Sequence, residues 1–261
     1  MSRPKALVLR STGTNCQEET SRALTRGGAD TDVLHTNHVL HDVSKLDPYS
    51  ILVFAGGFSY GDDLGAGRAW GAEIRQFLRD TLNKHLERGG LILGVCNGFQ
   101  VLMETGIFEP DASASTRKMA LYANESGHYE CRWVHLETLE TKCPWLVAGE
   151  RFPVPVAHAE GRFVVRDDEA LASLKAAGQL ALAYTTPNGE GDVPYPQNPN
   201  GSTAHIAGVT DPTGRALGLM PHPERNLDAW NHPDSARMGK RTAGEGAEFY
   251  SRLVKVAAGD N

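Results

Sequence analysis

A short apolar run, Leu91-Ile92-Leu93, breaks at Gly94, passes through Val95, Cys96, Asn97 and Gly98, and then gives way to an apolar periodic segment that ends at Gly106. That order predicts a strand, a sharp turn and a helix. It commits the chain to an α/β arrangement in which the turn lies at the carboxyl end of a sheet strand. Glycines two before and two after Cys96 give the nucleophile-elbow spacing, with sulfur in place of the usual hydroxyl. They leave room for a cramped turn, so the thiol stands out from the sheet and faces the positive end of the following helix, where a thiolate is stabilised. The same corner also suits a small cysteine that merely packs, since free cysteine is often buried. By itself the pattern leaves both readings open.

Strand-helix alternation continues around this corner. Residues 6–9, 30–34 and 51–54 read as strands, and residues 18–26 as a helix stopped by Gly27-Gly28. Residues 68–88 read as one helix with Trp70, Ile74, Phe77, Leu78 and Leu82 on its apolar face. This is the pattern of a mainly parallel sheet wound on both sides by helices. Beyond Gly106 the chain is richer in β-structure. Strands are expected over 129–137, 152–156, 162–165, 180–184, 206–209 and 216–220, partly as antiparallel pairs, with a short helix over 167–176. A terminal helix over 243–257 carries Phe249, Leu253 and Val256 on one face. The loop 186–202, rich in Pro, Gly and Asn, is expected to be mobile or pinned by a ligand.

With 261 residues, 40% hydrophobic and 22% charged, the chain has ordinary globular proportions, and a single domain over 1–261 is the natural organisation. A formal net charge of −6 lacks the basic excess that binding to a phosphate backbone requires, so nucleic acid is not an expected partner. No apolar run approaches the roughly 18 residues of a membrane span. The four cysteines, Cys16, Cys96, Cys131 and Cys143, are scattered without a Cys-x-x-Cys pair, and no signal-peptide pattern precedes residues 6–9. A reducing, cytoplasmic setting is expected. His35, His38 and His41 have a spacing that invites a metal assignment, but no thiolate pair is near and no helical pattern aligns the rings. A solvated loop is the better reading, and no metal site is expected.

A thiolate nucleophile needs a base, a group that orients the base, and donors for the oxyanion formed when a carbonyl is attacked. The segment Pro221-His222-Pro223-Glu224-Arg225 offers the first two. On an extended segment His222 and Glu224 project to one side, so the carboxylate can hold the imidazole tautomer, and the flanking prolines disfavour a helix. Its plainer reading is a surface turn. Oxyanion donors would be the backbone N–H of Asn97 and an N–H from the glycine-rich run 55–67, most plausibly that of Gly57, each worth about 3 kcal/mol in the transition state. The chain has no Gly-x-x-x-x-Gly-Lys-Ser/Thr loop, so nothing points to ATP chemistry of its own.

The residues Gly94-Val95-Cys96-Asn97-Gly98-Phe99-Gln100 together with Pro221-His222-Pro223-Glu224-Arg225 resemble the Cys, His and Glu triad of class I glutamine amidotransferases. Three further stretches are similar, more narrowly, to the glutaminase subunits of the phosphoribosylformylglycinamidine synthase family. They are Gly56-Gly57-Phe58-Ser59-Tyr60-Gly61-Asp62, Pro155-Val156-Ala157-His158-Ala159-Glu160-Gly161 and Asn198-Pro199-Asn200-Gly201-Ser202. The resemblance implies a flavodoxin-like class I glutamine amidotransferase fold and hydrolysis of L-glutamine through a cysteine thioester. It implies no cofactor in this chain. The ammonia would pass to a large synthase subunit, which carries ATP and Mg and converts formylglycinamide ribonucleotide to formylglycinamidine ribonucleotide, joined in many bacteria by a small third subunit.

Carried over by position, the resemblance makes Cys96 the nucleophile, His222 the base, Glu224 its orienting carboxylate, and Gly57 and Asn97 the oxyanion donors. Gln100 and Phe58 fall at substrate-contact positions, and His158, Glu160 and Gly161 in a stretch near the substrate pocket. The chain departs from the pattern in its Thr-rich first loop, Ser11-Thr12-Gly13-Thr14-Asn15-Cys16, in residues 65–70 and in an extended region 231–246. Two rivals are a glutaminase subunit serving another acceptor and a non-catalytic, flavodoxin-like redox or stress sensor. The second leaves His222 and Glu224 without a role.

Overall fold

The computed structural model describes residues 3–113 and 115–259, and nine of its strands form one sheet. The first half of the chain supplies β1 (Lys5–Arg10), α1 (Gln17–Gly27), β2 (Asp30–His35), α2 (Thr36–Leu40), β3 (Ile51–Phe54), α3 (Arg68–Phe77), α4 (Arg79–Glu87), β4 (Leu91–Val95) and α5 (Asn97–Thr105). Then follow β5 (Met119–Ala123), β6 (Glu130–Thr138), β7 (Arg151–His158), β8 (Glu160–Val165), α6 (Asp168–Ala176), β9 (Leu180–Thr185), β10 (Ile206–Thr210), β11 (Ala216–Leu219) and α7 (Glu245–Ala258). The strand order is β2-β1-β3-β4-β11-β10-β9-β6-β7, and β5 pairs with β8 in a separate antiparallel ribbon.

From β2 to β11 the neighbours run parallel. From β11 to β7 every pairing is antiparallel. The chain's second half thus threads β11 back into the middle of the sheet, beside β4. Strands β3, β4 and β11 are buried at every residue, as parallel strands covered on both faces must be. The α/β expectation holds, with the β-rich, antiparallel second half. Buried residues from both halves join in one apolar cluster, and no helix among the described residues is long and apolar enough to cross a membrane.

Several local expectations are corrected. The helix expected over 68–88 breaks at Leu78, whose φ is −123°. Trp70, Ile74, Leu78 and Leu82 recur every four residues, a spacing that drifts by about 40° per step on a straight helix. The break resets the face, so all four are buried and Phe77 is left 62% exposed. Within the segment bearing His35, His38 and His41, residues Thr36–Leu40 form a short helix, α2, with His38 inside it and His35 and His41 at its two ends. His35 Nδ1 accepts the Asn37 N–H at 3.2 Å, which caps α2, and Val39 anchors it in the core. The three rings belong to no cluster of potential metal ligands among the described residues.

The end of the loop 186–202, from Asn198 to Ser202, is pinned by the protein's own groups. Asn200 is fully buried and donates through Nδ2 to Gly161 O at 2.8 Å and to the Tyr184 hydroxyl at 3.2 Å. Ser202 Oγ accepts the Phe163 N–H at 2.9 Å, and Asn198 Nδ2 donates to Ser202 O at 3.0 Å. These buried amides supply the partners that a loop without a ladder lacks.

Candidate active site

Strands β3, β4 and β11 lie side by side, with Phe54 opposite Gly94 and Val95 opposite Leu219. The segments leaving their carboxyl ends therefore start level with one another, and they carry Gly57, Cys96 and His222. Binding crevices of open α/β sheets form at this edge. Cys96 takes φ 52° and ψ −108°, a conformation costing a non-glycine residue about 1–3 kcal/mol. The corner is held by the Cys96 N–H on Leu219 O at 2.8 Å and by the Phe99 and Gln100 N–H groups on Cys96 O. The flanking glycines are required by close approach. A Cβ on Gly98 would overlap the Phe54 carbonyl, and one on Gly94 would lie 2.7 Å from Gly98 O.

His222 follows β11 and leads into a single 3-10 turn over Pro223–Arg225. The expected extended segment is thus a turn, with Pro223 at its first position, where a missing N–H costs nothing. The turn brings Glu224 back under the ring: His222 Nδ1 donates to Glu224 Oε1 at 2.6 Å, with side chains only 1% and 0% exposed. Burial by itself lowers the proton affinity of His222, but the Glu224 carboxylate and then the Cys96 sulfur more than offset it, so the imidazole's pKa lies well above its ordinary value. With Nδ1 committed to Glu224, Nε2 is the nitrogen left to exchange a proton with a thiol.

The antiparallel half curls back over this edge. His222 N–H donates to Pro155 O at 2.9 Å, Asn226 Nδ2 donates to Pro153 O at 2.9 Å, and Cys96 Sγ lies 3.6 Å from Ala157 O. Strand β7, at the far end of the sheet order, therefore forms a wall of the site.

Gly57 has φ 150° and sits where a Cβ would come 2.7 Å from Asn15 N. Its peptide is fixed on both sides, by the Phe58 N–H on Gly13 O at 2.9 Å and the Asn15 N–H on Gly56 O at 3.3 Å. The Asn97 N–H is one of the unpaired donors at the start of α5. The Asn97 side chain ties loop to elbow: Oδ1 accepts the Ser59 N–H at 3.1 Å, and Nδ2 donates to Gln100 Oε1 at 3.0 Å. Gln100 Nε2 donates to Glu160 O, and Glu160 Oε2 accepts the Ala66 N–H at 3.3 Å. Phe58, 42% exposed, stacks on Tyr129 at the rim, with ring centroids 6.3 Å apart.

His158 is buried beneath this layer. Asn124 Nδ2 donates to the carbonyls of His128 and His158, which leaves Asn124 Oδ1 to accept from His158 Nδ1 at 3.1 Å. His158 is therefore the Nδ1–H tautomer, and burial, then the charge of His222, lowers its pKa to about 3. Gly161 packs on the ring, where a Cβ would lie 2.7 Å from His158 Nδ1.

The structure thus brings Cys96, His222, Glu224, Gly57 and Asn97 to one edge. Gln100 and Glu160 stand linked beside them, Phe58 lies at the rim, and His158 and Gly161 form support. Sequence reasoning missed Cys16, whose Sγ accepts from Arg225 Nη2 at 3.0 Å, as well as Tyr129 and Asn124. Arg225 directly follows Glu224 and was the available signal.

Residues 3–255 match the family model of the CobB/CobQ-like glutamine amidotransferase domain. The chain is 41% identical over 258 residues to phosphoribosylformylglycinamidine synthase subunit PurQ of Dehalococcoides mccartyi, covering 98% of this chain and 99% of that one. It is 42% identical over 258 residues to the subunit of the same name from Methanococcus maripaludis, with 97% and 94% covered. Among solved structures, that of PurLQS from Thermotoga maritima superposes with a TM-score of 0.72 at 31% identity, over 98% of this chain and 99% of the matched chain.

Proposed function

The chain belongs to the CobB/CobQ-like glutamine amidotransferase family, and from that premise we propose that it is the glutaminase subunit of a phosphoribosylformylglycinamidine synthase acting in the cytoplasm. The observation that carries the chemistry is the common edge of β3, β4 and β11, where the His222–Glu224 pair, 2.6 Å between Nδ1 and Oε1, follows the strand next to the elbow. His222 Nε2 takes the Cys96 proton, and the thiolate adds to the side-chain amide carbon of L-glutamine. The N–H groups of Gly57 and Asn97 receive the oxyanion, each contributing about 3 kcal/mol. The tetrahedral adduct collapses as His222 returns the proton to the leaving nitrogen, giving ammonia and a glutamyl thioester. Water, deprotonated by the same imidazole, then hydrolyses the thioester to glutamate and restores the thiol. Glu224 holds the tautomer and stabilises the imidazolium.

Gln100 and Glu160 shape the glutamine pocket, and Phe58 covers its mouth. The ammonia is used by a large synthase subunit that binds ATP and Mg, with a small third subunit in the assembly. The relatives named as synthase subunits and the neighbour from a PurLQS structure support this reading. Cys96→Ala is expected to abolish glutamine-dependent amination of formylglycinamide ribonucleotide by the assembled synthase while ammonia-dependent amination persists. Undiminished glutamine use by that variant would refute the assignment.

A further inference from the structure

Glu224 spends one carboxylate oxygen on His222, and the other, Oε2, has no hydrogen-bond partner among the described residues although the side chain is 0% exposed. The Tyr250 hydroxyl of α7 is in the same condition, on a residue that is also 0% exposed. The two belong to elements that meet. The start of α7 lies on the turn Pro223–Arg225: the Gly246 N–H donates to Asn226 O at 2.9 Å, and a Cβ on Gly246 would overlap the Pro223 carbonyl. Tyr250 follows Gly246 by four residues and so shares its face of the helix, and helical side chains lean toward the N-terminus of their helix. The Tyr250 ring therefore runs back along α7 toward the turn that carries Glu224. Burial, and then the charge of that carboxylate, hold the hydroxyl well above its ordinary pKa, so it keeps its proton and can donate it.

The other groups at this place are committed. Cys16 and Glu19 also act on the Tyr250 hydroxyl, but the Cys16 thiol donates to Asn15 Oδ1 at 3.2 Å and accepts from Arg225 Nη2 at 3.0 Å. Glu19 lies 3.6 Å from Arg225 Nε, so the guanidinium serves Glu19 and Cys16. We propose that Tyr250 is a positioning residue, whose hydroxyl donates across one bridging water to Glu224 Oε2 and so fixes the carboxylate that orients His222. A bridging water satisfies two buried groups that make no direct bond at little cost. A donor on Oε2 also disperses the carboxylate's charge, which eases its pull on the His222 proton and lets the imidazole pass that proton on. This inference rests on the roles proposed for His222 and Glu224.

Tyr250→Phe removes the hydroxyl and keeps the ring. Its kcat for glutamine hydrolysis is expected to fall by about five- to thirtyfold with KM little changed. Without the donor Glu224 holds the His222 proton more tightly, so His222 should lose it at a pH higher by about half a unit, the opposite direction to Glu224→Gln. The His222 Nδ1–H resonance of the full-length chain, identified by its loss in His222→Asn, reads that titration without need of turnover. In a Glu224→Gln background, Tyr250→Phe should change kcat by less than about twofold, because the charge on which the hydroxyl acts is gone. Uniform 3-fluorotyrosine, a stronger donor of nearly the same shape, should move the His222 titration to lower pH, which covers the case in which Tyr250→Phe does not fold. A wild-type kcat and titration in Tyr250→Phe, an equal loss in both backgrounds, or a titration unmoved by fluorination overturns the proposal. A titration that moves as expected in a chain without glutaminase activity contradicts the functional reading alone.

Discussion

At the scale of single residues, the proposed reaction turns on the pair His222 and Glu224. An imidazole sealed from water would ordinarily lose its proton early, yet the adjacent carboxylate and thiol hold its pKa well above the usual value. The imidazolium that the proposed reaction requires is therefore stabilised before substrate arrives. Glu224→Gln separates geometry from charge, because the amide oxygen can still accept from Nδ1 while the negative charge is gone. Glutamine hydrolysis is expected to fall by roughly 10²- to 10⁴-fold. The sign of the pH effect follows from the lost charge: His222 then deprotonates at lower pH, and the thiolate-imidazolium pair becomes less populated near neutrality. Alkylation of Cys96 by a glutamine-mimicking electrophile, followed against pH, should show its His222-dependent limb displaced to lower pH. A profile identical to the wild type would mean that Glu224 acts only by shape.

At the scale of elements, the elbow between β4 and α5 combines strain with close packing. Cys96 holds φ 52° without being glycine, so the cost of its backbone is retained for the position it gives the sulfur. Glycine at position 96 would relieve it. Cys96→Gly is expected to be more stable than Cys96→Ala by about 1 kcal/mol, the reverse of the usual order of these residues, with both inactive. Chemical denaturation of the two variants measures the difference, and an alanine variant that is the more stable would show that the corner is unstrained. The elbow was legible in the sequence because its signals are local, an apolar run, two glycines and a periodic helix. The buried strands β1, β3 and β4 were legible for the same reason. The break at Leu78 was not, because a four-residue apolar spacing suits one straight helix about as well as two. Strand β5 was missed because only Met119 of its residues is buried, which leaves no alternation to read. His222 and Glu224 were legible as neighbours, but as an extended pair instead of a turn. Cys16 and Asn124 reach the site only through strand order and loop packing, which no window of sequence contains.

At the scale of the whole molecule, the insertion of β11 between β4 and β10 couples the halves, and each half buries a histidine that burial keeps neutral. His85, near the start of β4, bonds Leu91 O at 3.2 Å through Nε2 and takes Arg88 Nη2 on Nδ1 at 3.1 Å, and its pKa is lowered to about 4. His158 in β7 is lowered to about 3. In the unfolded chain both titrate near about 6.5. Between roughly pH 6.5 and 4 the unfolded state therefore binds protons that the folded state refuses, and stability falls as pH falls, by up to about 1.4 kcal/mol per unit for each group. His222 has the opposite sign: its raised value contributes stability that is fully present below about 6.5 and is lost only as pH rises through the folded value, so it adds no slope in the acid window. Unfolding free energies from urea titrations at pH 7, 6 and 5 are expected to decline steeply. His85→Gln and His158→Gln should each remove about half of the histidine-dependent slope, even where they lower stability at pH 7. If neither variant flattens the decline, the acid sensitivity comes from carboxylates that the folded state holds ionised and the unfolded chain protonates first, and the two buried imidazoles are not the groups that set it.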